Sequence, residues 1–251
     1  MKMHTSPYLG NRPVKTSGLI AFHALLLPLF LGLLPVRAET FDAVADTYVL
    51  YNTDTNFGAN TTFLTSNDGG SLGIPKATDK WAIIRFDVSS LSGPVASASL
   101  SLEQVSGSGA DFQVYGIPDL GTDENFDQST YTYNASAYKF GGTQDGATTD
   151  GGLQKTNLTL LGGFSTTGAQ SVDFSSTGLL DFVNADSNGI VTLIIYQSTQ
   201  NKADRAFASS EDTLGRGPQL VLTTIPEPSA IASIAGLGAL VLVMLRRRRT
   251  A

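Results

Sequence analysis

The chain contains no cysteine, which excludes disulfides, thiolate nucleophiles and cysteine-ligated zinc. Its only histidines, His4 and His23, stand near the amino terminus. Residues 39–224 therefore hold no imidazole, which excludes a Ser-His-Asp triad, a histidine general base and a histidine-held metal there. Positive charge is scarce in the same stretch: 21 acidic residues face 8 basic ones, a formal charge of −13. Four bases precede that stretch and four follow it, which dilutes the charge of the whole chain to −6. Phosphate contacts need clustered Lys and Arg, so so acidic a body is not expected to bind nucleic acid. Tryptophan occurs once, as Trp81. Without disulfides, the fold has to rest on a buried core, which a stretch of this length can supply.

Long apolar runs are confined to the two ends. Lys2, Arg12 and Lys15 lead into the apolar stretch Leu19–Leu34, followed by Pro35-Val36-Arg37-Ala38 with small residues at Val36 and Ala38. This order predicts a secretory signal peptide over 1–38, cut after Ala38 by signal peptidase. Near the other end, Ala230–Leu245 is uncharged and would span about 24 Å as a helix. That is slightly short of a hydrocarbon core of about 30 Å, a gap that snorkelling arginines and local thinning close. Arg246, Arg247, Arg248 and Arg249 are expected to stay cytoplasmic by the positive-inside rule, which puts 39–224 outside the inner membrane.

Pro226-Glu227-Pro228, the apolar run and the terminal arginines together resemble the PEP-CTERM sorting signal of Gram-negative bacteria. The resemblance implies an exosortase partner that cuts near Pro226, Glu227 and Pro228, with Arg246–Arg249 holding the helix in the membrane. It also implies export, transient anchoring in the inner membrane and delivery to the cell envelope or an extracellular matrix. The organisation expected is thus 1–38 signal peptide, 39–224 folded domain and 225–251 sorting signal.

Between the ends the pattern has period two. In Lys80–Val88, Ala82, Ile84, Phe86 and Val88 share one face, and Trp81, Ile83, Arg85 and Asp87 the other. Val95–Glu103 alternates small or apolar with polar residues, as a strand with one wet face does. Further strands are predicted at Ala45–Tyr51, Thr61–Thr65, Phe112–Ile117, Ser171–Phe174, Ile190–Gln197, Arg205–Ala208 and Gln219–Thr223, and one helix at Thr177–Ala185 capped by Ser175 or Ser176. Turn chemistry such as Ser106-Gly107-Ser108-Gly109 and Asp186-Ser187-Asn188-Gly189 separates them. The Gly-rich stretch Gly141–Gly152 reads as a long loop. The fold class expected is all-β: a jelly-roll-like antiparallel β-sandwich, flanked by the signal peptide and a C-terminal transmembrane helix.

An ordered series of segments resembles the DNRLRE-type domain, a family also treated as a carbohydrate-binding module. It runs through Ala45–Val49, Thr55–Gly58, Ile84–Leu91, Ala98–Leu102, Phe207–Glu211 and Pro218–Leu222. The resemblance implies a β-sandwich that binds or organises extracellular polysaccharide. Between Asp119 and Gly163 this chain departs from the family, with Tyr131-Thr132-Tyr133-Asn134 where a tryptophan-containing run is usual.

Sugar rings stack on aromatic faces, and their polar groups need hydrogen-bonding or cationic partners. Trp81 as a stacking platform and Arg85 as its polar partner are one reading; a core position for Trp81, the common fate of aromatic residues, is the other. Lys76, Lys80 and Arg85 form one group of bases and Lys202, Arg205 and Arg216 a second. Side by side they would make a cationic patch for a uronic-acid polymer, with Lys80, Lys202 and Arg205 joining Trp81 and Arg85. Local pairing with Asp79, Asp87, Asp204, Glu211 and Asp212 is the alternative. Asp46, Asp54, Asn56, Glu211 and Asp212 offer hard oxygens near both ends of the domain, suited to a structural Ca2+ if those ends meet, or else to plain solvation. No other cofactor is expected. The expected activity is non-catalytic, with a polysaccharide lyase or hydrolase, or a matrix protein without glycan affinity, as the alternatives.

Overall fold

The structure is a computed structural model that describes residues 37–68, 75–139 and 152–225, together with Gly236 and Gly238. The chain divides into two compact units, 36–225 and a second formed by 1–35 and 226–251. Of the second unit only Gly236 and Gly238 are described, both with helical backbone.

The first unit is an antiparallel sandwich of ten strands and one helix: β1 (Arg37–Leu50), β2 (Thr62–Asn67), β3 (Lys80–Asp87), β4 (Val95–Ser106), β5 (Asp111–Gly116), β6 (Thr159–Ser165), β7 (Gln170–Phe174), α1 (Thr177–Ala185), β8 (Ile190–Gln197), β9 (Asn201–Ala208) and β10 (Gln219–Thr224). In one sheet the first part of β1 pairs with β10, β10 with β4, β4 with β7 and β9, and β9 with β2. In the other, the second part of β1 pairs with β3, followed by β8, β5 and β6. β1 thus serves both sheets, and its register shifts between Ala43 and Ala45 where it passes from one to the other. A bulge is the usual device for such a bend.

The period-two pattern decides what each face meets. Ala82, Ile84 and Phe86 of β3 point between the sheets, where they join Leu100 and Leu102 of β4, Leu193 and Ile195 of β8 and Phe207 of β9 in the main core. α1 closes one side of this core. Ser176 caps it by accepting from Leu179 N at 2.9 Å, and Leu179 and Val183 are its buried residues. Asn184 ties the helix to the start of β4 through hydrogen bonds in both directions with Val95, at 2.9 and 3.0 Å.

The other face of the second sheet is covered as well. Trp81 and Ile83 of β3, Ile194 and Tyr196 of β8 and Val49 of β1 lie beneath Phe126, Tyr131, Tyr133, Tyr138 and Leu153 of the connection between β5 and β6. Trp81 meets Tyr131 edge to face at 6.4 Å, and Phe126 meets Tyr131 at 5.1 Å. An aromatic pair in this geometry is worth about 0.5–1.5 kcal/mol beyond the area it buries.

All nine predicted strands and the helix are found, the helix with its predicted ends and Ser176 as its cap. β6 was not expected. Its Gly162-Gly163 pair interrupts any alternation, and Gly162 has a φ of +137° where the register with β5 shifts. The boundary expected after Ala38 falls inside β1, since Arg37 and Ala38 already pair with Thr224 and Thr223. Most of the loop expected at Gly141–Gly152 lies outside the described residues.

The expected flanks need correction. Among the described residues no helix is long and apolar enough to cross a membrane. The one that belongs to the sandwich, α1, has nine residues and rises about 13.5 Å, under half of a hydrocarbon core. The described fold is therefore an all-β antiparallel sandwich, and the transmembrane helix of the expectation is not found among the described residues. Nothing among the described residues supports inner-membrane anchoring, onward delivery to envelope or matrix, or exosortase, signal peptidase and membrane as partners. The segments on which those expectations stood, 1–36 and the tail with Pro226, Glu227, Pro228 and Arg246–Arg249, lie outside the described residues.

Because Trp81 is fully buried and the only tryptophan, its fluorescence reports on the outer-face packing. Its emission should be that of a shielded indole, resistant to acrylamide, and should shift to the red when the protein unfolds. Trp81→Ala should destabilise the fold by about 3–5 kcal/mol in a denaturant titration. A cost below about 1 kcal/mol, or free quenching of the native protein, would show that this layer is not packed as described.

Candidate functional site

A groove of about 800 Å³ opens where the bend of β1, the turn before β2, residues 125–129 and the residues after β9 meet. Its construction is chiefly polar. Asn56 donates through Nδ2 to the carbonyls of Gln128 at 2.7 Å and Tyr131 at 2.8 Å, and its Oδ1 accepts from Gly58 N at 3.2 Å. Gln128 donates through Nε2 to Gly58 O and to the Glu211 carboxylate, while its Oε1 accepts from Asp46 N at 2.8 Å. Gly58 is required there, because a Cβ at that position would stand 2.2 Å from Gln128 O. One asparagine and one glutamine thus fasten four segments together.

Asp46 lies beneath this network and is 1% exposed. Its Oδ2 accepts from Ser210 N at 2.7 Å, and its Oδ1 has no partner. Burial, with the Glu211 charge as a lesser cause, pushes its pKa up to about 6 against the hydrogen bonding of Ser210. A buried carboxylate that is short of donors holds its proton more tightly than one in water.

Arg85 reaches the groove from β3. Its guanidinium donates to Asn125 Oδ1 and, at 2.8 Å, to Phe126 O, and it lies 5.6 Å from the centre of the Phe126 ring. Trp81, on the same strand face, is 0% exposed and presents no surface to a sugar. The structure places Trp81 in the layer where the connection between β5 and β6 covers that face.

The bases do not assemble into a patch among the described side chains. Lys80 pairs with Asp204 at 2.6 Å, Arg216 with Asp212 at 3.0 Å, and Lys76 approaches Asp68 at 4.0 Å. Arg205 is 0% exposed and donates to Ala203 O, Ser108 Oγ and Gly109 O. Gly107 makes room for it, since a Cβ there would meet Arg205 Cδ at 2.8 Å and the φ is +94°. The side chain of Lys202 lies outside the described residues. Local pairing, the alternative to a cationic patch, is what the structure displays for Lys80 and Arg216.

Of the residues expected to offer oxygens to calcium, Asp46, Asn56 and Glu211 are joined through Gln128, by Asp46 N, Asn56 Nδ2 and a Glu211 carboxylate oxygen. Asp54 stays exposed, and Asp212 is engaged by Arg216. A different set is better placed for a metal. Asp119, Glu124 and Asp186 bring one carboxylate oxygen each to within 4.8 Å of one another, and these three could hold a divalent cation. Asp186 is held above the ordinary carboxylate range by burial, with the Asp119 and Glu124 charges adding to it and hydrogen bonding from Gly189 and Ile190 opposing it. Pattern reading had no means of selecting these residues, because Asp186 was visible only as part of a turn and the other two fall where the chain departs from its resemblance. For the groove it likewise missed Asn125, Phe126 and Gln128, which share that stretch.

Residues 37–142 match the family model of carbohydrate-binding module family 96. The match takes in β1 to β5 and the start of the connection that follows, and it covers less than half of the chain. Asn56, Gly58, Arg85 and residues 125–129 lie within it, whereas Glu211 lies beyond it. No curated protein matches the chain. The region 37–142 is thus carbohydrate-binding-module-like, which meets the sequence-based resemblance in its coarser form. The match names no polysaccharide and carries no sorting-signal identity, so extracellular polysaccharide as a specified partner is withdrawn to that coarser statement along with the exosortase.

Asp46 makes stability depend on pH in a defined direction. Its folded pKa of about 6 exceeds the ordinary aspartate value of 3.8. Its contribution is therefore complete below about pH 4 and is lost as pH rises through about 6, to a total of up to about 3 kcal/mol. Denaturant titrations of wild type and Asp46→Asn between pH 4 and 7 should show the wild type losing ground to the variant across that window. A difference that stays constant with pH would mean that the buried carboxyl does not titrate as described.

Proposed function

We propose that the sandwich is a non-catalytic carbohydrate-binding module whose ligand lies in the groove beside Arg85. The observation that carries this reading is the match of 37–142 to a carbohydrate-binding family, with Asn56, Arg85 and Asn125–Ser129 of the matched stretch lining one groove. The lining suits sugar hydroxyls: Asp127 and Glu211 accept, Asn125 and Ser129 can do either, and Arg85 donates. Val44, 53% exposed at the bend of β1, offers an apolar contact for the C–H face of a sugar ring.

Charge narrows the ligand class. One guanidinium faces the two carboxylates of Asp127 and Glu211, within a body of formal charge −13 over 39–224. An anionic uronate chain would be repelled, so a neutral, hydroxyl-rich glycan is the favoured ligand. The hydrolase alternative would call on Asp46 and Glu211 as a carboxylate pair. The near-complete burial of Asp46 counts against it, because a general acid must come within hydrogen-bond reach of the glycosidic oxygen. A structural calcium ion fits this reading as a stiffener of the loop that carries Asn125 and Phe126, away from the sugar.

Affinity electrophoresis of the full chain against neutral β-glucans, mannans and xylans, with alginate as the anionic arm, tests the reading. At least one neutral glycan should retard the protein, and Arg85→Ala and Asp127→Ala should each weaken binding by about tenfold, the value of one charge-assisted hydrogen bond. Absence of retardation by every glycan, variants that bind as wild type does, or release of new reducing ends would overturn it.

A further inference from the structure

The connection after β5 and the turn between α1 and β8 meet at the three carboxylates of Asp119, Glu124 and Asp186. Each has one oxygen already engaged. Glu124 Oε2 accepts from Leu120 N at 2.9 Å and Asn188 Nδ2 at 3.0 Å. Asp119 Oδ2 accepts from Ser187 N at 2.8 Å and from Ser187 Oγ. Asp186 Oδ2 accepts from Gly189 N at 2.9 Å. These contacts orient the carboxylates from the backbone of both segments.

The remaining oxygens are what point to a ligand. Glu124 is only 5% exposed, and its Oε1 is buried with no hydrogen-bond partner. Asp186 Oδ1 is buried and unpartnered as well. Among the described residues no lysine or arginine forms an ion pair with any of the three. An unpaired, dehydrated carboxylate oxygen is costly, and two of them beside a third carboxylate are costlier. One positive ion at their centre resolves the hydration deficit and the mutual repulsion together.

The geometry points to a Ca2+ site formed by Asp119, Glu124 and Asp186 that clamps the connection after β5 to the turn before β8. Oxygens on one calcium at about 2.4 Å stand at most about 4.8 Å apart, the limit these three meet. The ligand set is all hard oxygen, which suits calcium and disfavours transition metals. Asp119 and Asp186 are half-buried, which leaves room for the waters that complete six to eight ligands. Glu124 immediately precedes Asn125 and Phe126, and its carbonyl accepts from Thr192 Oγ1 of β8, so the clamp bears on the segment that holds Arg85. The site goes beyond sugar binding and does not depend on it.

Calorimetric titration of the chelator-stripped full chain with CaCl2 is the test. One Ca2+ should bind per chain, more tightly than Mg2+, and raise the melting temperature. Asp119→Asn and Asp186→Asn should each raise Kd at least tenfold. Hydrogen exchange on the unmodified chain gives the same answer without a variant: Ca2+ should slow exchange at Leu120, Ser187 and Gly189. No binding up to about 10 mM, beyond the weak end of protein calcium sites, would overturn the proposal. So would binding that both variants retain, tighter binding of Mg2+, or protection that falls elsewhere in the chain.

Discussion

The packing of the connection between β5 and β6 on the outer face of the second sheet governs most of what is distinctive here. A sheet in a sandwich needs only one buried face, and its other face is ordinarily wet. In this chain Phe126, Tyr131, Tyr133, Tyr138 and Leu153 form a second apolar layer over Trp81, Ile83, Ile194 and Tyr196. That layer seals the only tryptophan and removes the strand face from solvent. It also fixes the path of residues 119–129, which supply part of the groove and two of the three clustered carboxylates. If this layer were loose, neither site would have a defined geometry.

Polar side chains do the fastening that disulfides would do in a cysteine-bearing secreted domain. Asn56 and Gln128 bridge the turn before β2, the connection after β5 and the residues after β9. Asn184 pins α1 to β4, and buried Arg205 ties β9 to the turn after β4. Each of these groups is amide or guanidinium, with more than one donor in a fixed plane; Asn56 and Arg205 each satisfy two backbone carbonyls, and Gln128 and Asn184 one each. The exceptions are informative. Among the buried atoms left without a partner are three carboxylate oxygens that lie near another carboxylate: Asp46 Oδ1 near Glu211, and Glu124 Oε1 and Asp186 Oδ1 near Asp119.

The groove and the acidic cluster sit on either side of the segment 124–129, which gives that segment a double duty. Arg85 is held by Asn125 and Phe126 on one side, and Glu124 reaches its neighbours in the turn before β8 on the other. Glu124, Asn125 and Phe126 are consecutive, so the hydrogen bonds of Glu124 and those of Arg85 bear on one short run of backbone. The likeness of 37–142 to a carbohydrate-binding family covers this segment but stops before Asp186 and Glu211. The later half of the sandwich therefore adds Glu211 to the groove and Asp186 to the acidic cluster from outside the matched stretch.

Local pattern was enough for much of the fold. Alternation with period two located nine strands, capping chemistry located α1, and composition excluded cysteine and histidine chemistry in 39–224, since each depends only on neighbouring residues. β6 escaped because two glycines break its alternation. The faces of β3 could be assigned from sequence, but not which face would be wet, because the cover comes from residues more than 40 positions away with no periodicity of their own. The same holds for the bases, whose partners Asp204 and Asp212 were only two among several acids at hand. It holds again for Asp119, Glu124 and Asp186, which meet only because β5 and β8 pair. Sequence alone determined every element but β6, and the excluded chemistries. Tertiary structure decided which side chains meet water, since burial is a property of the surface that a distant segment brings to a strand.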